Sequence, residues 1–265
     1  MVLIKLGGIA AIVAFASVSQ AQGVLEKDVG QGQEQERPAN PAITASDDGS
    51  FLPETLSARI GSTKLFAYGS GGYDSSRGGP LIDSAVEASV WGPFALRFQA
   101  VYGNNTDKMR PSIAGRVQLL RQERQGLDGA LTVFFKTEGF TETEGELEVF
   151  ASLGRRFEQL SLIGNLVYGQ DPEGNERDGE VHAAAFRQHK WLMYGIDSRV
   201  RFAIGMQHGH AATTEPVFDF MAGPIATAAT GMGALFAQVG PSAFQLDNGP
   251  THVGVAALAG LGAAY

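Results

Sequence analysis

Between Tyr194 and Ile204 the chain changes character at almost every residue. Tyr194, Ile196, Val200, Phe202 and Ile204 fall on one parity, and Asp197, Arg199 and Arg201 fall on the other. A β-strand sends successive side chains to opposite faces, so such a segment has one apolar face and one charged face. The pattern recurs. Leu127 to Phe135 places Leu127, Gly129, Leu131, Val133 and Phe135 against Asp128, Thr132 and Lys136. Gly145 to Leu153 places Leu147, Val149, Ala151 and Leu153 against Glu146, Glu148 and Ser152. Phe94 to Tyr102 alternates in the same way around Arg97 and Gln99. A period of two sustained along a chain excludes a helical bundle and predicts an all-β fold.

About twelve such strands are predicted, over 64–73, 83–91, 94–104, 111–121, 127–137, 145–154, 160–170, 179–188, 193–206, 217–229, 233–245 and 251–265. Thr63 to Tyr265 gives each strand with its connection about 17 residues, enough for the 9–11 that cross a membrane when tilted. Between Phe218 and Val239 Ala and Gly dominate and Pro224 interrupts the period, so two strands or four are possible there, and a 14-stranded count stays open. The connections alternate in length. Trp91 to Phe94, Gly154 to Phe157 and Gln188 to Trp191 are short, whereas Tyr102 to Pro111, Glu138 to Glu144 and Gly169 to Glu180 are long.

Upstream of the alternating region lie two segments of different kinds. Lys5 precedes an apolar stretch, Leu6 to Val18, and Ser19-Gln20-Ala21 offers the small residues that signal peptidase requires. This predicts a cleavable secretory signal over 1–21, too short to be a membrane helix. With no Cys after the cleavage site, a lipoprotein is not expected. Residues 22–62 are polar and aperiodic, with Gln31 to Pro38 and Asp47 to Ser50 as their most hydrophilic runs. They are expected to form a mobile segment, with at most a short turn near Leu52 to Ile60, because they offer little apolar surface to offset ordering entropy. A plug or partner-binding tail is the alternative. Residues 63–265 form the predicted barrel domain.

These features together resemble the bacterial outer-membrane β-barrel proteins. The resemblance rests on the leader, the alternating strands, the unequal connections, and a last strand that ends in an aromatic residue. That strand puts Val253, Val255, Ala257, Ala259, Leu261, Ala263 and Tyr265 on one face. The resemblance implies an antiparallel up-and-down transmembrane barrel and a location in the bacterial outer membrane. It implies contact with outer-membrane lipid, and recognition by the barrel-assembly machinery through Tyr265. A soluble periplasmic β-barrel binding module would alternate too, with its apolar face inside.

Within a barrel the charged parity faces the lumen. This predicts a lining of Glu87, Arg97, Arg116, Lys136, Glu146, Glu148, Glu180, Asp197, Arg199, Arg201 and Asp219. Six are acids and five are bases, so cross-strand ion pairs that fill or constrict the lumen are expected. Parity across the connections sets Glu87 opposite Arg97, Lys136 opposite Glu146 and Glu180 opposite Arg201. The functional expectation is a non-enzymatic barrel, either a narrow passive pore or a structural barrel with a salt-bridge-filled lumen.

Other chemistries have thinner support. His208 and His210 could begin a metal site, but no third ligand stands at suitable spacing, so no metal and no cofactor is expected. Some outer-membrane barrels hydrolyse lipid with Ser and His on the lipid-facing wall. Here Ser198 faces outward while His182 shares the inward parity of Glu180, and His208 lies roughly 33 Å along the strand. A net charge of −8 argues against a nucleic-acid partner. The long loops are acidic, with Asp74, Asp107, Glu138, Glu142, Glu144, Asp171, Glu173, Glu176, Asp178, Glu215 and Asp247, and could bind divalent cations. The short turns are basic, with Arg121, Arg124, Arg155, Arg156, Arg187 and Lys190.

Overall fold

A computed structural model describes residues 51–60, 65–103, 108–137, 139–140, 145–172, 176–206, 216–230, 233–247 and 249–264. Twelve antiparallel strands are present: β1 (Leu65–Asp74), β2 (Gly79–Trp91), β3 (Phe94–Tyr102), β4 (Arg110–Leu120), β5 (Asp128–Thr137), β6 (Gly145–Phe157), β7 (Leu160–Gln170), β8 (Glu176–His189), β9 (Leu192–Met206), β10 (Pro216–Thr230), β11 (Gly233–Leu246) and β12 (His252–Ala264). Each strand pairs with its sequence neighbours, and β1 pairs with β12 from Phe66–Ala264 to Asp74–Ala256, which closes the barrel. Closure leaves no free edge for another chain to pair with. One short helix, α1 (Gln122–Gln125), joins β4 to β5.

The parity of each strand decides which way it faces. Leu131, Val133 and Phe135 are 36, 39 and 41% exposed on the outer wall, with Leu96, Phe98, Leu166 and Ile196 among many others. Their neighbours on the opposite parity, such as Thr132, Glu148 and Asp197, are fully buried inside. A soluble barrel would show the reverse, with the apolar parity within.

Several boundaries differ from those expected. Gly154 to Phe157 is not a turn: β6 runs on to Phe157 and pairs Phe157 with Leu160. The connection is the two residues Glu158 and Gln159. Glu158 takes φ 48°, as Lys190 takes φ 53° in the turn between β8 and β9. Positive φ lets a two-residue turn follow the twist of its strands. Strands β2 and β8 begin at Gly79 and Glu176, earlier than their periodicity suggests. The stretch around Pro224 holds two strands, which removes the 14-stranded alternative. The β10–β11 ladder lacks regular pairing between Met221–Ser242 and Ile225–Gln238, and Pro224 and Pro241 both fall within that interval. Proline cannot donate to a ladder, so both sit where the ladder is already interrupted.

The largest departure concerns residues 51–60. They were expected to belong to a mobile segment, yet Phe51, Leu52, Thr55, Ser57, Ala58 and Ile60 are buried. The segment adds no strand. It enters the barrel interior and completes three apolar clusters there: Phe51 with Phe66, Tyr68 and Phe236; Leu52 with Ile163, Phe186, Met193 and Ile225; Leu56 with Phe134, Phe150 and Val167. The physical reason lies in the number of strands. Eight strands leave an interior that side chains can fill, and sixteen or more leave a channel. Twelve strands leave space that neither arrangement settles, and a short segment with apolar residues at 51, 52 and 56 can fill it.

Candidate functional site: a charged lumen and the segment inside it

All eleven residues expected in the lumen lie on inward-facing positions, and all three expected register pairs occur: Glu87 opposite Arg97, Lys136 opposite Glu146, and Glu180 opposite Arg201. Contact between side chains follows the register only in part. Arg97 reaches Glu87 at 3.4 Å, but Arg116 of the next strand holds the same carboxylate at 2.5 Å. Lys136 pairs with Glu148 and not with its opposite neighbour Glu146. Long side chains reach diagonal neighbours as readily as direct ones. Arg201 has Asp178 as its nearest partner, with Glu180 at 3.7 Å and Glu146 at 3.9 Å.

A second network surrounds β9 and β10. Arg199 reaches Asp219 at 2.7 Å and Glu54 of the inner segment at 3.3 Å. Arg77 bridges Asp74 and Asp219. Asp74 and Asp178 were expected in the long loops, and the structure places both inside, with Arg77 beside Asp74. Asp74 and Asp178 keep the inward parity of strands that run past their expected ends, and Arg77 turns back over the Phe244 ring, 5.0 Å from its centroid. Asp83 was also missed, although its parity matches that of Glu87. It accepts a hydrogen bond from the Tyr68 hydroxyl at 2.5 Å and from Gln99 at 3.0 Å.

The wall grips the inner segment mainly through the segment's backbone. Asn165 accepts from the Leu56 N–H and donates to the Leu56 carbonyl, both at 2.8 Å. Arg116 donates to the Ser57 carbonyl at 2.6 Å. Asp197 accepts from the Glu54 N–H at 2.9 Å and from the Thr55 hydroxyl at 2.5 Å. Gln118 accepts from the Ile60 N–H at 3.3 Å. His182 lies between the Glu54 carbonyl at 2.5 Å and the Glu180 carboxylate at 2.7 Å. A buried segment without a sheet partner must satisfy its N–H and C=O groups somewhere, and here wall side chains do so. No periodicity marks residues 51–60, so alternation could not find them. A visible signal was Phe51-Leu52 together with Leu56, apolar residues in an otherwise polar stretch.

Apolar clusters and ion pairs share the lumen: Phe66, which packs on Phe51, stands opposite Glu87, and Phe134, which packs on Leu56, stands opposite Glu148. A charged cavity of about 140 Å³ lies against the segment, lined in part by Arg97, Arg110, Lys136, Glu148, Arg199 and Asp219. Arg59 of the segment meets Glu123 of α1 at 2.7 Å. The Glu123 carboxyl is held below its ordinary range by its own backbone N–H and by Arg59. Both partners are solvent-exposed, so Arg59→Ala should leave the urea midpoint of the folded barrel essentially unchanged.

The remaining candidates separate. Ser198 faces outward and donates to the Ala183 carbonyl at 2.8 Å, whereas His182 is buried inside, so the wall stands between them. Tyr265, His208 and His210 lie outside the described residues, as do Asp107, Glu138, Glu142, Glu144, Glu173 and Glu215 of the long loops. Among the described residues no group of three or more His, Asp or Glu is placed to hold a metal ion.

No protein-family model matches the chain, and no curated protein matches it significantly. Solved structures do match its fold. One is a NanC porin, at TM-score 0.54 and 7% identity, covering 74% of this chain and 98% of that one. Others are the outer membrane channel DcaP of Acinetobacter baumannii (TM-score 0.44, 9% identity, 76% and 71% covered) and the translocator domain of the autotransporter NalP from Neisseria meningitidis (0.41, 12%, 78% and 91%). The chain has the fold of the bacterial outer-membrane β-barrel proteins, as a closed antiparallel barrel of twelve strands.

Proposed function

We propose that this chain is a non-enzymatic barrel of the bacterial outer membrane, a pore of narrow lumen that is closed at rest. The observation that carries the reading is the occupied lumen: residues 51–60 lie within it, among buried ion pairs that span the space between strands. An outer wall of Leu, Val, Ile and Phe at membrane-crossing strand lengths supports insertion in lipid. The porin-like fold supports a pore over a purely structural barrel. The non-enzymatic part of the proposal is supported by the separation of Ser198 from His182 on opposite faces of the wall. The lining leans acidic. Asp74, Asp83, Asp178 and Glu54 join the expected acids, while Arg77 and Arg110 join the bases, so an opened lumen would favour cations.

The test is reconstitution of the purified chain. It should float with lipid vesicles, show the heat-dependent gel shift of a folded barrel, and give infrequent, small, cation-preferring current steps in a planar bilayer. A chain that remains in the aqueous fraction would support the soluble alternative. Phospholipid turnover that survives purification would overturn the non-enzymatic assignment.

A further inference from the structure

We infer that residues 51–60 are a displaceable plug, a gate made from the chain's own backbone, and that Gly262 is the seat on which it closes. The inference rests on the proposed pore and names how that pore is regulated.

Three observations carry it. The first is topological. The barrel closes through β1 and β12 without any contribution from the segment, so its departure would break no ladder.

The second is the set of partners that the wall would keep. Arg116 would retain Glu87 and Thr132. Arg199 would retain Asp219, and His182 would retain Glu180. Asn165 would retain Ser152 at 2.9 Å, and Gln118 would retain Asp128 at 3.2 Å. Asp197 is the exception, since both its carboxylate contacts go to the segment. Each of the others therefore keeps one anchor in the wall, and the atoms it frees, such as Asn165 Oδ1 and Gln118 Oε1, would face water entering the vacated lumen rather than a dry core.

The third observation is a shaped seat. Gly262 on β12 lies beneath the Phe51 ring, and a Cβ there would collide with the ring edge. Phe51 also stacks edge-on to Phe66, with ring centroids 5.3 Å apart. The wall is therefore cut back at one point to admit one side chain of the plug. Filling that point should evict Phe51 while leaving the ion pairs and the plug sequence intact.

The chain contains no cysteine, so one introduced thiol reports on the plug in the full-length protein. Ser57→Cys places it on a buried position of the segment. In the vesicle-inserted protein this thiol should react slowly with a water-soluble maleimide. Adding Gly262→Leu should accelerate labelling by about tenfold or more, because overpacking disfavours the seated state. If Gly262→Leu prevents insertion, Phe51→Ala carries the same expectation from the plug side. Equal labelling rates with and without these changes would overturn the plug. Current is read separately in a planar bilayer. Faster labelling with more frequent current steps upholds both plug and pore. Faster labelling with no current upholds a mobile plug and overturns the pore.

Discussion

Val133→Arg should destabilise the folded barrel in lipid by about 2–4 kcal/mol, the cost of an arginine on the lipid face near the bilayer midplane. Val133 sits mid-strand on β5, outward, with Gly115 on one side and Val149 on the other. Its side chain is 39% exposed. The cost has one source: the guanidinium must leave water for hydrocarbon, and none of these outward neighbours offers a counter-charge. The measurement is a urea or guanidinium titration of the vesicle-inserted protein, followed by the loss of its heat-dependent gel shift. Val239→Arg, 48% exposed on β11, should behave alike. The same substitutions separate the two barrel readings sharply. On a soluble barrel an exposed valine faces water, and arginine there would be neutral or would improve solubility. Unchanged stability in lipid would therefore argue that this wall does not face hydrocarbon.

Alternation made that outer wall legible from sequence, and the reason is geometric. A strand has only two faces, so one buried lumen and one lipid face leave a period of two that a short stretch already reveals. The same parity located Glu87, Arg97, Lys136, Glu146, Glu180 and Arg201 in register. It could not say which carboxylate each cation would choose. Lys136 prefers the diagonal Glu148, and Arg116 competes with Arg97 for Glu87, because side-chain reach exceeds the spacing of neighbouring positions. Strand ends were harder to place than strand centres. Asp74 and Asp178 were assigned to loops although each continues the inward parity of its strand by one residue. Glycine and proline at Gly79 and Pro80 obscured the start of β2 in the same way.

The plug was illegible for a different reason. Periodicity registers a repeated environment, and Phe51, Leu52 and Leu56 each enter a different one. Their neighbours Glu54 and Ser57 read as polar loop residues, yet Glu54 joins the ion network through Arg199 and Ser57 gives its carbonyl to Arg116. What holds them is backbone hydrogen bonding to wall side chains distant in sequence, which no local pattern records. Asn165 shows the limit well. By parity it is one more lumenal amide, but its function is to take both backbone groups of Leu56, 109 positions away.

Arg201→Ala should remove the cation from the most acidic part of the lumen and, in doing so, cost stability and change selectivity. Arg201 lies against Asp178, with Glu180 and Glu146 within 4 Å. These carboxylates do not lose equally. Glu180 keeps His182 at 2.7 Å, so its share of the loss is cushioned. Breaking a buried ion pair from one side costs about 3–5 kcal/mol, because the remaining charge stays desolvated. The neighbouring charged cavity can admit water, which places the expected loss near the lower end, about 3 kcal/mol. Arg201→Lys should recover part of it by restoring the charge without the guanidinium fork. Current through the altered lumen should be larger and more strongly cation-preferring, since fixed charge at a constriction sets which ion enters. The plug meets this region through Glu54 and Arg199, 3.3 Å apart, a pair that the substitution leaves in place, so thiol labelling at position 57 should stay slow. Greater current at an unchanged labelling rate would place the constriction in the ion pairs themselves. Unchanged current and selectivity would show that Arg201 only holds the wall together.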